Sequence, residues 1–329
     1  MTAPFYGAIK GTTSGAPGTG AFTPNAAAAG FRAWSTVPIG WIGLVRFDDG
    51  AAWELAYCYW NGTTLSRGAN QIYDTSTGSL LTLTAAATAC QVIDPSDIQS
   101  HIGSNPWHLY ASGPSLTSVG IRGATPTLQG TSSGPALATT NMLTEQVGNQ
   151  LISATTANGQ AGWSAAPSGI VSTTAGRGGF EYVGRFGASQ LPTGPRLFVG
   201  MTSATFVGNT GEPSAFTANY ACFAKDSGDT NIQLLTNSNA GGGTKIDTGI
   251  PLVANGLYEA SVWIEPGSNK VYGLLIRIDT GDIWLGSTTT DVPANGAILL
   301  PNLLGGLNGA NTGTAFTMKV ISMAIRTGN

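Results

Sequence analysis

Two histidines are the side chains of this sequence best suited to act as a catalytic base. Nucleophilic catalysis pairs a serine or cysteine with such a base. The histidines are His101 and His108, and we predict no nucleophile elbow, a strand-to-helix turn that exposes a serine, to accompany them. Their spacing would place both on one face of a helix, but Pro106 interrupts it. We therefore expect loop or surface histidines, no catalytic residue and no enzyme.

Acidic residues near turns could bind a cation. Asp226, Asp229 and Asp247 could come together, as could Asp279 and Asp282. A calcium ion needs several oxygen ligands at close spacing. Aspartate is also an ordinary turn residue, because its side chain bonds to nearby backbone groups. We favour the turn interpretation over a cation site, and predict no metal and no cofactor.

Carboxylates could also cleave a glycan. A glycosidase places two of them on opposite sides of the scissile bond. Glu181, Glu212, Glu259 and Glu265 are candidates, but no spacing singles out a pair. Glycan depolymerase activity is therefore the weakest of the functions that we keep open.

Apolar residues on strands that should face water are the remaining candidates for binding. In residues 257–264 every even position is apolar, which predicts a β-strand with one face in a core. Trp263 interrupts the polar side, and Leu275 takes a similar position on the strand predicted at 271–278. Exposed apolar surface usually marks an interface. We expect this outer face to dock on another chain or a ligand.

Two further tryptophans, Trp107 and Trp284, fall on polar or turn-proximal stretches. Indole rings stack on flat apolar surfaces, including sugar faces. Together with Trp263 and Leu275 they are our candidates for a ligand or subunit contact. Burial in the core or in a subunit interface is the favoured alternative.

The composition suits a protein that works within an assembly. Only 9% of the 329 residues are charged, whereas Gly 47 and Pro 17 are abundant. Few charges remain to repel neighbouring chains. The formal net charge of -3 gives no electrostatic footprint for nucleic acid. No apolar run approaches the length of a membrane span, so we expect no membrane insertion.

The cysteines and the N-terminus bear on where the chain is made. Cys58, Cys90 and Cys222 lie far apart, which predicts buried thiols rather than a disulfide framework. The first residues lack the basic and apolar regions of a signal peptide. We expect synthesis in a reducing cytoplasm.

The order of strand and turn signals predicts a mainly β protein. Residues 1–38 are expected to form an extended arm, and 39–115 a small antiparallel β-meander domain. Residues 116–176 are rich in Gly, Ser and Thr and predict a connector. Residues 177–329 contain many short strand patterns separated by turns, which predicts a jelly-roll-like β-sandwich.

One stretch of the meander resembles a known family. It contains Asp48-Asp49-Gly50, then Trp53-Glu54, then Gly62-Thr63-Thr64-Leu65-Ser66-Arg67, and ends with Leu81-Thr82-Leu83-Thr84-Ala85. This pattern, over about 60 residues, resembles the N-terminal module of tailed-bacteriophage tail fibre and receptor-binding spike proteins. More loosely, residues 196–201 and 245–251 resemble the jelly-roll-like module that ends such chains. The resemblance implies an oligomeric particle component, commonly trimeric, and it identifies no receptor-contact residue.

These patterns lead to one leading hypothesis and one of a different class. The first is a structural virion protein, a short homotrimeric tail fibre or spike. Its N-terminal part would attach to other virion proteins, and its sandwich would recognise a host surface glycan or protein. The second is a head or tail decoration protein without receptor binding. Both place the chain in the virion after synthesis in the host cytoplasm.

Overall fold

The residues that the structure describes are mainly β-structure, with 51% of them in strands and 5% in helices. A computed structural model describes residues 9–92, 127–133, 137–146, 148–165, 169–174, 177–308 and 313–327, and the backbone of 107–110. By packing the chain divides into two compact units, residues 1–103 with 283–286 and residues 104–282 with 287–329. The described residues contain no apolar α-helix of the length that crossing a membrane requires.

A six-stranded antiparallel sheet forms the first unit. Its strands are β1 (Lys10–Thr13), β2 (Pro24–Ala27), β3 (Ile42–Asp49), β4 (Ala52–Tyr59), β5 (Ile72–Thr75) and β6 (Thr88–Gln91). Their order across the sheet is β2-β1-β6-β3-β4-β5. Two 3₁₀ turns, Trp34–Thr36 and Ala69–Gln71, lie between strands. The β3–β4 hairpin turns at Gly50, whose φ of 66° lies in the left-handed region that favours glycine.

Residues 9–38, the part of the expected arm at 1–38 that the structure describes, form no extended arm. β1 pairs with both β2 and β6, so this segment supplies one side of the sheet. Ile9, Phe22 and Trp34 are buried in the core of the unit. The Trp34 indole also donates to the carbonyl of Ala89 at 3.1 Å. These apolar residues stand too far apart to give a periodic pattern, which is why the pattern suggested no fold.

The second unit is an antiparallel β-sandwich, as the sequence predicted. One sheet has eight strands, in the order β20-β19-β18-β13-β22-β10-β9 with β7 also on β22. These are β7 (Trp107–Tyr110), β9 (Thr131–Ser133), β10 (Asn149–Ile152), β13 (Phe180–Gln190), β18 (Leu257–Ile264), β19 (Val271–Arg277), β20 (Asp282–Thr288) and β22 (Thr317–Thr327). A short helix α1 (Met142–Glu145) precedes β10 and begins at a capping box formed by Asn141 and Thr144.

The other sheet also has eight strands, in the order β17-β16-β15-β14-β21-β11-β8 with β12 on β21. They are β8 (Thr127–Gln129), β11 (Gln160–Ser164), β12 (Gly169–Ile170), β14 (Arg196–Thr202), β15 (Asn219–Lys225), β16 (Asn231–Ser238), β17 (Thr244–Pro251) and β21 (Ile298–Gly306). The sheets pack face to face, since a Cβ on Gly273 of β19 would lie 2.9 Å from side-chain atoms of Leu234 and Phe223. Many of the longer strands contribute alternating apolar residues to this core.

Residues 116–176 differ from the connector that we expected, wherever the structure describes them. β8 to β12 are integral strands of the sandwich: β10 pairs with β22, and β11 lies between β21 and β8. All five residues of β11 are buried, with Trp163 fully so. A strand buried on both faces shows no alternation. Its Gly, Ser and Gln residues therefore looked like a polar linker.

Candidate functional site

The structure does not describe the side chains of the two histidines or of Trp107. His101 lies outside the described residues. Trp107 and His108 belong to β7, of which the structure gives the backbone only, paired with Ile325 and Ala324 of β22. The predictions about these residues therefore stay predictions.

The acidic residues near turns are held by cations and backbone groups of the chain itself. Asp226 and Asp229 both pair with the Lys245 ammonium, Asp229 at 2.8 Å. Asp279 pairs with Arg277 at 2.9 Å. Among the described residues no group of three His, Cys, Asp or Glu side chains comes together in a way that could hold a metal ion. Turn formation and ion pairing account for these aspartates.

Three of the four glutamates considered for glycan cleavage have partners as well. Glu181 pairs with Arg326 at 2.7 Å, and Glu259 lies 3.2 Å from Arg185. The Glu212 carboxylate accepts from both the backbone N–H and the hydroxyl of Ser227. Each of these carboxylates therefore stabilises local structure.

Leu275 and Trp284 are both buried. We expected Leu275 on the outer face of the sheet, whereas burial was the favoured interpretation of Trp284. Leu275 pairs with Ala260 across β18 and β19, and both are fully buried. The register therefore puts Leu275 on the core face of the sheet, opposite to our expectation. Trp284 is only 5% exposed. The outward residues Leu274 and Ile276 are also buried, at 6% and 5% exposure.

Trp263 remains a surface candidate. Its half-buried indole stacks on the Tyr272 ring, with centroids 5.2 Å apart and planes 7° from parallel. The ammonium of Lys270 lies 4.6 Å from the centroid of the same Tyr272 ring. Cross-strand aromatic pairs of this kind stabilise a sheet. The Trp263–Tyr272 stack explains the tryptophan in a polar row without requiring a ligand.

A long loop on the other sheet is the strongest candidate site. It spans residues 203–218, between β14 and β15, and its regular structure is one 3₁₀ turn, Pro213–Ala215. We name it the 203–218 loop. Loops of this length within compact domains usually carry function. One signal for this loop is present in the sequence: two phenylalanines, Phe206 and Phe216, lie in a segment of otherwise mostly small or polar residues.

Gln160 of β11 holds the first half of this loop. Its side-chain nitrogen donates to the carbonyls of Phe206 (3.2 Å) and Asn209 (3.4 Å). Its side-chain oxygen accepts from the backbone N–H of Gly208 at 2.8 Å. Gln160 is only 9% exposed. One buried amide thus bonds to three residues of the turn at 206–209.

Charged residues hold the second half. The guanidinium of Arg196, 2% exposed, donates to the carbonyl of Gly211 and to that of Leu307. Burial lowers the pKa of this guanidinium. The Asp226 carboxylate accepts from the backbone N–H of Ser214 at 3.0 Å and from its hydroxyl. The loop is therefore fixed in one conformation by side chains from several strands.

Aromatic rings form the base of the loop. Phe198 and Tyr220 of the sheet are fully buried, and Phe206 stacks on Phe198 with centroids 4.7 Å apart. Phe216 lies parallel to Tyr220 at 6.3 Å and edge-on to Phe206 at 5.4 Å. This second, smaller core on the outer side of the sheet holds the loop against the sandwich. It also fixes the orientation of the partly exposed Phe216 ring.

A shallow surface groove of about 400 Å³, wide open to solvent, lies on this loop. Seven residues line it: Thr205, Val207, Gly208, Asn209, Ala215, Phe216 and Thr217. None of them is charged, and the lining combines an aromatic ring with hydroxyl and amide groups. Small-molecule sites commonly combine apolar walls with a few placed polar groups. The groove therefore suits an uncharged ligand with both apolar and hydroxylated faces.

In the first unit, residues that carry the family resemblance form a buried ion pair and hydrogen bonds to the backbone. The Arg67 guanidinium binds the Glu54 carboxylate with two bonds of 2.7 and 2.8 Å, and both side chains are fully buried. Glu54 also accepts from the Leu81 N–H at 2.9 Å, and Arg67 donates to the Leu81 carbonyl. Asp49 accepts from the backbone and the hydroxyl of Thr84 at 2.7 Å each. These residues of the motif therefore build the module rather than a ligand site.

Comparison with known proteins bears on the fold alone. No protein-family model matches the chain, and no curated protein does. Among solved structures, it is similar to a protein of unknown function from Shewanella oneidensis MR-1 (11% identity, TM-score 0.48, covering 72% of this chain and 95% of that chain). It is also similar to peanut lectin (12%, 0.43, 68% and 97%) and to basic winged bean lectin (12%, 0.45, 69% and 100%). The sandwich itself is defined by the strand pairing described above.

Proposed function

We propose that this chain is a structural virion protein, a short tail fibre or spike of a tailed bacteriophage. In this proposal the first unit attaches the protein to other virion proteins. The sandwich recognises the host surface. The chain is made in the host cytoplasm, where its three thiols stay free, and it then becomes part of the particle.

The observation that carries the proposal is the buried Glu54–Arg67 ion pair. The motif that resembles phage attachment modules coincides with the residues that close the first unit, including Asp49 and Leu81. These residues bond to one another within the first unit, which has its own hydrophobic core. Such a module supports attachment to a partner protein independently of what the sandwich binds.

The 203–218 loop supports the recognition half of the proposal. Binding residues are often placed on loops that a rigid scaffold holds in position. Here buried side chains of the sandwich, among them Gln160 and Arg196, hold the loop, and its outer residues line a groove.

A homotrimer remains part of the proposal, on different grounds from those of the sequence. Leu275, on which the expected contact between copies partly rested, is fully buried on the core face, so it does not call for sister copies. An exposed apolar pair on the sandwich, Ile170 and Ile298, joins β12 to β21 and is 46% and 59% exposed. Together with the low charge, it supports contact between copies.

Particles of the phage that encodes the chain provide the test. We expect mass spectrometry to detect the chain in purified virions, and gold-labelled antibodies against it to mark the tail. Purified protein should also compete with particles for adsorption to host cells. Absence from the virion would overturn the proposal. Labelling of the head, or of the tail without competition, would favour a decoration protein instead, and reducing-sugar release from host capsule would favour a depolymerase.

A further inference from the structure

We propose that the groove of the 203–218 loop binds an uncharged saccharide. The exposed part of the Phe216 ring would contact the apolar face of a sugar. The Asn209 amide and the Thr205 and Thr217 hydroxyls would bond to its hydroxyl groups. The inference deepens the proposed function, because it names the ligand class and the residues through which the sandwich would recognise a surface.

The position of Phe216 is the first step of the argument. The ring is partly exposed, lines the groove and is supported from below by Phe206 and Tyr220. Its backbone is also held, because the Asn237 amide donates to the Phe216 carbonyl at 3.2 Å. An aromatic surface fixed in this way gains contact with an apolar ligand face at little cost in side-chain entropy.

Unused hydrogen-bonding groups are the second step. The Asn209 side-chain oxygen accepts from the Gly211 N–H at 2.8 Å. Within the described part of the chain, its side-chain nitrogen has no protein partner, and neither has the Thr217 hydroxyl. The Thr205 hydroxyl accepts from the Val207 N–H at 3.2 Å and keeps its proton to donate. The groove therefore offers fixed donors and acceptors beside the ring.

The absence of charge from the lining selects the ligand class. All seven lining residues are neutral. The nearby charged groups of Arg196, Glu212 and Asp226 are bonded to the loop or to its supports. An acidic sugar or a phosphate finds no cation in this lining to form a charge-assisted hydrogen bond with it. A neutral sugar loses only hydrogen bonds that hydroxyl and amide groups restore.

The test uses the full-length protein and neutral sugars as the probes. Saturation-transfer NMR would compare galactose, glucose, mannose and N-acetylglucosamine with glucuronic and N-acetylneuraminic acids. We expect saturable binding of at least one neutral sugar, and none of the acids. Phe216→Ala should weaken binding roughly tenfold or more, the loss expected for one aromatic contact.

Asn209→Asp gives a sharper variant, because it keeps the oxygen that accepts from Gly211 but removes the amide donor and adds a charge. It should also weaken binding roughly tenfold or more. Two controls should leave binding unchanged: Thr210→Val, in the same loop but outside the lining, and Phe31→Ala, an exposed aromatic of the first unit. Circular dichroism and thermal unfolding would verify that every variant is folded.

Three results would overturn the inference: no binding of any neutral sugar, preference for the acids, or binding that survives both groove substitutions. The outcome is separable from that of the proposed function. A chain found in the virion whose groove ignores sugars would be a spike with another recognition surface. A chain that binds sugar but is missing from particles would be a saccharide-binding protein of another kind.

Discussion

The carboxylate of Glu54 and the guanidinium of Arg67 face each other with both oxygens engaged, and neither side chain is exposed to solvent. Glu54 lies on β4, and Arg67 follows the turn after it. The Arg67 side chain also donates to the Gly18 carbonyl at 3.0 Å, and its guanidinium carbon lies 5.6 Å from the centroid of the Phe47 ring. The stretches that contain Gly18, Phe47 and Leu81 therefore all meet at this pair.

Removing one partner of this pair should destabilise the first unit strongly. Arg67→Met leaves the Glu54 charge buried, and we expect a loss of about 3–5 kcal/mol in the free energy of unfolding, measured with urea. The double variant Glu54→Leu with Arg67→Met should lose less, because no charge is stranded. The exposed pair Arg46–Asp48 is the control, and Asp48→Asn should change stability by less than about 1 kcal/mol. Equal stability of Arg67→Met and the parent would contradict the structure.

Substitution of Gly200 should be far more damaging than substitution of another glycine. Gly200 of β14 has a φ of 152°, and a Cβ there would lie 2.5 Å from the Cα of Cys222 on the neighbouring strand. We expect Gly200→Ala to cost more than about 3 kcal/mol or to prevent folding. Gly228→Ala, which meets nothing within 4 Å, should fold normally. Soluble yield and melting temperature would compare the two, and similar melting temperatures would refute the close packing of β14 on β15.

Stability should fall in alkali because of two buried thiols. Burial raises the pKa of both Cys58 and Cys222 well above the ordinary thiol value of 9.0, whereas in the unfolded chain both ionise near that value. Their contribution is therefore complete below about pH 9 and is lost as the pH rises toward the folded-state pKa. Each thiol adds a slope of up to about 1.4 kcal/mol per pH unit.

Urea unfolding at a series of pH values from 8 to 10 would measure this slope. Cys222→Ala lowers stability at every pH, because it leaves a cavity, but it should flatten the pH dependence. Cys90→Ala, at a half-buried position whose pKa burial raises less, is the matched control. An unchanged slope in Cys222→Ala would argue against a fully shielded thiol at this position.

Loss of one anchoring amide should loosen the 203–218 loop. Gln160→Glu keeps an acceptor for the Gly208 N–H but removes the donor that binds the carbonyls of Phe206 and Asn209. Chymotrypsin should then cut after Phe206 or Phe216 about tenfold faster, since each lost bond lowers the free energy of local opening. Gln190→Glu, at an exposed position, should not alter the cleavage rate. Equal protection in both variants would show that other contacts hold the loop.

The alternating strands of the sandwich were predictable from the sequence. The pattern at 257–264 gave β18 with an error of one residue at most, and 271–278 gave β19. The face of Leu275 was not predictable, because both sides of β19 are apolar and its register depends on the pairing with β18. The alternation of polar and apolar residues identifies the core face of a strand only when the other face is polar. Where both faces are buried, this difference is missing.

The 203–218 loop could not be recognised as a structured site from its own residues. The residues that hold it are remote in sequence. Gln160, which bonds to the Phe206 carbonyl, lies well before the loop. Arg196 bonds both to Gly211 in the loop and to Leu307, which lies far after it. Bonds between positions so far apart leave no local pattern. The pairing of Glu54 with Arg67 was hidden for the same reason, although both residues stood in the motif.

The residues that hold the 203–218 loop are different from those that line its groove. Gln160, Arg196 and Asp226 are buried and bond to the backbone of the loop, whereas Thr205 and Thr217 are exposed. The outer positions can therefore be exchanged one at a time while the inner ones keep the shape constant. A lineage under pressure to follow a changing target gains from such an arrangement, because new preferences arise without the folding of the scaffold being put at risk.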